Sequence, residues 1–224
     1  KNQETPIIDS LYDLYEDEYL NQQIKYESEV RSYPRRLPLA IKKASGLLVE
    51  DTKGQVYLDC LAGAGTLALG HNHPEIKDEL KKYLDLDLPT QTLDLTTGVK
   101  NVFMQEVLDT LPSEFKNCAK VQFCGPSGAD AVEAAIKLAK RVTNRNNIIA
   151  FSGAYHGMTN GSMSLMGNNQ TKARSSGLMA DVHFMPFPYS LRCPFGLGGD
   201  DGAKMSLRYL ERTLNDDESG ILKP

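Results

Sequence analysis

The chain has 224 residues, 41% of them hydrophobic, and a formal net charge of −4, a composition that supports a buried core and excludes general disorder. An acidic balance without lysine or arginine clusters beyond short pairs argues against nucleic acid and against an anionic membrane surface as partners. No apolar run reaches the roughly 20 residues of a membrane span.

The four cysteines, Cys60, Cys118, Cys124 and Cys193, form no Cys-x-x-Cys spacing, so they read as reduced, mostly buried thiols. The polar first residues do not make a signal peptide, and the expectation is a cytoplasmic protein.

In chain order, residues 6–26 place Ile7, Ile8, Leu11, Leu14, Tyr15, Tyr19 and Ile24 at spacings near three and four, predicting an amphipathic helix that docks on its own core or on a second subunit. The Tyr33-Pro34-Arg35-Arg36 run breaks it. Residues 47–51 and 55–60 alternate around Thr52-Lys53-Gly54 and predict a β-hairpin. Next, Gly63-Ala64-Gly65-Thr66-Leu67-Ala68 spells Gly-x-Gly-x-x-Ala, the pattern of a dinucleotide loop. Gly70, His71, Asn72 and Pro74 interrupt it before any helix opens, which argues against that reading. His71 and His73 form a His-x-His pair, but a zinc site needs three or four ligands, so a loop ahead of a helix starting at Pro74 is preferred. Helices are predicted over 74–83, 97–111 and 128–142, with Pro89 and Pro112 as stops.

Val121, Phe123 and Cys124 predict a short strand that Gly125 and Pro126 end, with Ser127 as the N-cap of an alanine-rich helix. Gly128 and Ala129 open that helix. Small side chains there let an anion approach free backbone N–H groups at the positive end of the helix dipole, and the Ser127 hydroxyl is a further donor. Such turns are common in α/β proteins, and a purely structural role stands beside the phosphate reading. Residues 148–151 form a second apolar strand followed by Gly153-Ala154-Tyr155-His156-Gly157. Loops at the carboxyl ends of nearby strands share one crevice, so the cradle and the aromatic residue are expected together. Residues 157–164 and 167–170 are rich in turn formers. Another strand is predicted over 182–188, then a glycine-rich loop, then a helix over 203–214 capped by Asp200 or Asp201.

The run from Phe123 to Lys140 resembles the phosphate-loop segment of the class-III pyridoxal-phosphate aminotransferases. The Gly153–Gly157 segment resembles their ring-stacking segment, and Leu61-Ala-Gly-Ala-Gly-Thr-Leu-Ala-Leu-Gly-His-Asn-His-Pro resembles the glycine-rich stretch ahead of their large domain. Together with Glu29-Val-Arg-Ser-Tyr-Pro-Arg and Tyr155-His-Gly-Met, these runs are most similar to the 2,4-diaminobutyrate:2-oxoglutarate aminotransferase family.

The resemblance implies an α/β, fold-type-I pyridoxal-phosphate-dependent transferase with a mostly parallel sheet flanked by helices. Residues 1–60 would belong to a smaller domain and 61–224 to the first part of the large cofactor-binding domain, with the C-terminal part absent. It implies pyridoxal 5'-phosphate as cofactor, anchored by Ser127, Gly128 and Ala129, with Tyr155 as ring clamp and His156 and Gly157 shaping its turn. Gly65, Thr66 and Met158 would line the substrate pocket, and no metal is implied. The Schiff-base lysine and the acid that pairs with the pyridine nitrogen are expected beyond Pro224. No catalytic residue is therefore nominated within the chain, and the segment alone is expected to be inactive.

Met158 departs from the wider class, in which 4-aminobutyrate and ornithine transaminases carry an arginine for a substrate carboxylate. A methionine cannot pair with one, which leaves Arg31, Arg35 or Arg36 as candidates for that role. The implied reaction exchanges the terminal amine of L-2,4-diaminobutyrate with 2-oxoglutarate, linking aspartate 4-semialdehyde and glutamate, in a homodimer. Another class-III ω-aminotransferase, an aminomutase and a non-enzymatic scaffold remain as alternatives.

Overall fold

The computed structural model describes residues 17–28, 30, 36–92 and 94–221. Residues 6–16 of the expected first helix, together with Arg31 and Arg35, lie outside them. The chain forms two compact units, Lys1–Asn101 and Val102–Pro224.

In the first unit, helix α1 (Glu18–Tyr26) starts where Asp17 caps it, its carboxylate accepting from the Tyr19 and Leu20 amides at 2.8 and 3.4 Å. Asp17 also accepts from the Thr52 hydroxyl, which ties the helix to the sheet. Strands β1 (Ile41–Ser45), β2 (Leu48–Asp51) and β3 (Val56–Leu58) form an antiparallel sheet in that order. The hairpin expected from alternation is β2–β3, and its turn is organised by Asp51. That buried carboxylate accepts from the Lys53 and Gln55 amides at 2.9 and 2.8 Å and from the Tyr57 hydroxyl at 3.0 Å. Helix α2 (Pro74–Asp85) begins at its proline, as predicted, and runs two residues further.

The chain passes into the second unit within α3 (Gly98–Asp109), followed by the single turn α4 (Ser113–Lys116). Helix α5 (Gly128–Thr143) ends with Asn144 in the left-handed conformation. Strands β4 (Ile148–Phe151) and β5 (Val182–Met185) pair in parallel, Ile148 opposite Val182 and Phe151 opposite Met185. Parallel strands need a long crossover, and here it contains α6 (Asn160–Ser164) and α7 (Asn169–Lys172). Helix α8 (Gly199–Asn215) closes the unit. Its core joins one face of α5 to the sheet: Ile136, Ala150 and Leu165 are buried, with Val132, Ile148, Met179 and Val182 packed around them.

Three sequence expectations are corrected. Val121–Cys124 is not a strand among the described residues, where the sheet of this unit is β4–β5 alone; β-forming side chains favour extended backbone, but a strand exists only where a neighbour completes its ladder. Neither Asp200 nor Asp201 caps α8. The helix starts earlier, with Gly198 at the N-cap, and both aspartates lie inside its first turn, where they still complement the dipole. The cysteines are free, but Cys60, Cys118 and Cys124 are exposed and Cys193 is half-buried, because all four sit on loops or turns rather than on core faces.

Candidate active site

The site is built on the N-terminus of α5. Ser127, extended at φ −109°, makes a capping box with Asp130: the Ser127 hydroxyl accepts from the Asp130 amide at 3.2 Å, and Asp130 Oδ2 accepts from the Ser127 amide at 3.2 Å. The same hydroxyl donates to Asp130 Oδ2 at 2.8 Å. It is thus engaged within the turn, and the amides of Gly128 and Ala129 are the donors left without an acceptor among the described residues. At Gly128 a Cβ would meet nothing within 4 Å. The bare glycine therefore keeps space open in front of two amides at the positive end of a sixteen-residue helix.

The loop after β4 lies along this helix end. Ser152 donates from its amide to Met185 O at 2.9 Å, and Gly167 donates to Ala154 O at 2.9 Å, fixing the start of the loop. Gly157 has φ +122°, and a Cβ there would stand 2.6 Å from the Ala129 Cβ; only glycine lets the loop touch the first turn of α5 this closely. In consequence Ser127, Gly128, Ala129, Tyr155, His156, Gly157 and Met158 line one open cavity of about 670 Å³, within the range of small-molecule and cofactor sites. Tyr155 is 70% exposed, an aromatic ring available to a ligand rather than buried in the core. His156 also borders a second groove of about 700 Å³, together with Phe151, Phe187, Tyr189 and Arg192.

Gly65 and Thr66 belong to the first unit. There Asp59 accepts from the Leu61 and Ala62 amides, both at 2.9 Å, and meets His71 Nε2 at 2.7 Å. Ala62 and Ala64 have φ +49° and +56°, left-handed values that cost an L-residue free energy and gather at functional turns. Thr66 Oγ1 donates to Gly63 O at 2.9 Å. No helix opens on the third glycine-pattern position, in keeping with the case against a dinucleotide loop. The partner of His71 Nε2 is the Asp59 carboxylate, and the described residues contain no cluster of three or more metal-ligating side chains. Arg36 is exposed in the same unit.

Sequence reasoning missed Asp130 and Glu133. A Ser-x-x-Asp capping box was readable at 127–130. Glu133 carried no such signal: on α5 it looks like a solvated residue, yet its carboxylate accepts from Thr159 Oγ1 at 2.6 Å and from the Gly161 and Ser162 amides at 2.8 and 3.3 Å. The Thr159 hydroxyl, against the opposing effect of burial and with help from the two amides, holds this carboxyl below its ordinary range.

The family described as aminotransferase class-III matches residues 30–222. The chain belongs to the class-III aminotransferases. It is 55% identical over 206 residues to a diaminobutyrate–2-oxoglutarate aminotransferase of Rhizobium meliloti, a match covering 92% of this chain and 44% of the relative. A namesake from Haemophilus influenzae is likewise 55% identical, with 92% and 45% covered. The chain thus spans less than half the length of the curated relatives it matches. Among solved structures, a thermostable ω-transaminase from Thermomicrobium roseum superposes with a TM-score of 0.75 at 22% identity, covering 91% of this chain and 47% of that one. An amine transaminase from an uncultivated Pseudomonas species, in a PLP-bound form, gives 0.68 at 24%, covering 84% and 44%. The fold is α/β, the type-I transaminase fold that the resemblance implied.

Proposed function

We propose that the intact protein is a pyridoxal-phosphate-dependent aminotransferase that moves the terminal amine of L-2,4-diaminobutyrate to 2-oxoglutarate. The observation that carries the cofactor assignment is the single cavity in which the unpartnered Gly128 and Ala129 amides, the open space over Gly128 and the exposed ring of Tyr155 meet. These residues fit a phosphorylated aromatic cofactor: the helix end takes the dianion and Tyr155 restrains the ring. The carboxylate of Asp130 is drawn back onto Ser127 and so does not compete for the two amides. When bound, pyridoxal phosphate supplies the electron sink for amine transfer. His156 and Gly157 shape the loop, and Met158 keeps cationic charge out of its part of the cavity, so a substrate whose reacting end is an ammonium meets no repulsion there.

The 55% identity to enzymes named for diaminobutyrate and 2-oxoglutarate supports the substrate pair. We assign the lysine and the pyridine-pairing acid to the part of the intact protein outside this chain, and Gly65 and Thr66 to the substrate pocket. Residues 1–60 fall to the small domain and 61–224 to the large one, in a cytoplasmic homodimer. No helix among the described residues is long and apolar enough to cross a membrane.

Gly128→Val tests the anchor. Its side chain would enter the open space rather than the core, so the fold should persist while affinity for pyridoxal phosphate falls about tenfold or more. Fluorescence titration of the cofactor-free protein measures this, and unchanged affinity would move the anchor elsewhere.

A further inference from the structure

We infer that Glu133 is a positioning residue that fixes the loop bearing Tyr155 and Met158 against the anion cradle on α5. What that loop would touch rests on the function proposed above; the tie itself is a matter of this chain's own atoms. Residues 155–158 make no backbone hydrogen bond among the described residues. Their place is therefore set by the two ends of the loop and by the contact of Gly157 with Ala129. The near end is tethered through Ser152 and Ala154, as described. The far end runs into α6, a five-residue helix too short to hold itself.

Within α6, Thr159 and Ser162 form a capping box, the Thr159 amide donating to Ser162 Oγ at 3.1 Å. Glu133 adds a tie from α5: its Oε1 accepts from the Thr159 hydroxyl and directly from the Gly161 and Ser162 amides. A carboxylate from another helix thus caps α6 from outside, favoured by the partial positive charge at that helix end. Gly161 is required for it: a Cβ there would stand 2.3 Å from Glu133 Oε2. Because Glu133 follows Ala129 by four residues, the two share one face of α5. Ala129 meets the loop at Gly157 and Glu133 meets it at 159–162, two points of attachment bracketing Met158. A turn of α5 therefore carries both the anion donors and the group that holds the ring-bearing loop beside them.

The test uses the intact protein and three variants, Glu133→Gln, Glu133→Ala and Gly161→Ala. Hydrogen exchange on the cofactor-free protein reads the attachment through the hydrogen-bonded amides that follow the loop: Glu133→Ala should lose protection over 159–167 by about tenfold or more, and Glu133→Gln, which keeps an acceptor oxygen, should recover most of it. On the loaded protein, Glu133→Ala should change the visible circular dichroism of bound pyridoxal phosphate and speed its release, again with recovery in Glu133→Gln. A residue with only a general structural role would lower Tm while leaving the local exchange pattern and the cofactor signal unchanged, and that result overturns the proposal. Should Glu133→Ala fail to fold, Gly161→Ala displaces the carboxylate by its added methyl, and wild-type exchange in that variant is equally decisive against it. Failure of the wild type to bind pyridoxal phosphate would overturn the functional reading, while the exchange result would still judge Glu133.

Discussion

Two glycine-rich loops, one in each unit, are each held by one carboxylate, and they differ in reach. After β3, Asp59 accepts from amides two and three residues ahead and from His71 twelve ahead. After β4, the loop is held by Glu133, whose partners lie 26 to 29 residues away on the far side of a strand. The first is an Asx-type turn that any chain with this local sequence can form. The second exists only once α5 has packed on β4, so the geometry of the candidate cofactor site depends on the tertiary fold in a way the glycine-rich turn does not. The two also differ in exposure: Leu61 is 49% exposed, whereas Ser162 is fully buried. An amide released at the first site regains water, and one released at the second does not.

The strongest way to break the second loop is through its backbone. A Cβ on Gly167 would lie 2.2 Å from the Gly153 amide nitrogen, and the obstacle is main chain rather than a side chain that can swing away. Gly167→Ala should therefore cost about 3 kcal/mol and lower the Tm of the intact protein by several degrees. In the first unit, alanine at Gly54, which has open space but φ +86°, meets only backbone strain of about 1 kcal/mol. Equal Tm losses in the two variants would show that the loop after β4 is not close-packed.

The contrast also explains which parts of the fold were legible in the sequence. Helix α5 and strands β4 and β5 stand out because their apolar residues follow the helical and extended periods and face one core, Ile136 and Ala150 among them. Strand β1 was unreadable: Ile41-Lys42-Lys43-Ala44-Ser45 shows little alternation, and its lysines reach Glu50 at 3.9 and 3.0 Å, as charges on a sheet edge do. At Val121–Cys124 the error ran the other way, since side-chain type reports extended backbone but not the presence of a neighbour. At the site, the small residues of the cradle and the Tyr155 turn were visible as punctuation. Glu133 was not, because its partners are set by packing rather than spacing.

Acid titration sharpens the comparison at a second level. Both carboxyls are held below their ordinary range, Asp59 by the Ala62 amide first and then the His71 ring, Glu133 by the Thr159 hydroxyl first. A depressed carboxylate pKa contributes stability that is fully present above the unfolded value, about 3.9 for Asp and 4.3 for Glu, and is lost as pH falls through the lower folded value. Removing either carboxylate should flatten the decline of Tm below about pH 4.5. Glu133→Ala should also cost about 2 kcal/mol at neutral pH by leaving buried amides unpaired, and Asp59→Ala should cost less, because its donors rehydrate. Thermal melts of both variants from pH 3 to 7, at the roughly unit spacing that resolves such a titration, measure the two effects together. A larger neutral-pH loss for Asp59→Ala would reverse the assignment of the stronger tie.

The smallest effect is the most discriminating. Thr159→Val keeps the shape of the side chain but removes the hydroxyl that donates to Glu133, and leaves the Gly161 and Ser162 amides in place. If the amides carry the attachment, the variant should lose only about 1.5 kcal/mol, the low end for one hydrogen bond to a charged group, and exchange protection of the bonded amides over residues 161–167 should stay near wild type. The hydroxyl is nonetheless the largest cause of the depressed Glu133 pKa, so the carboxyl should titrate higher in the variant. The loss of its stabilisation should then begin at a higher pH than in the wild type. A variant whose 161–167 amides exchange as freely as in Glu133→Ala would place the hold on the hydroxyl instead, making Thr159 rather than the α6 amides the point through which α5 grips the Tyr155 loop.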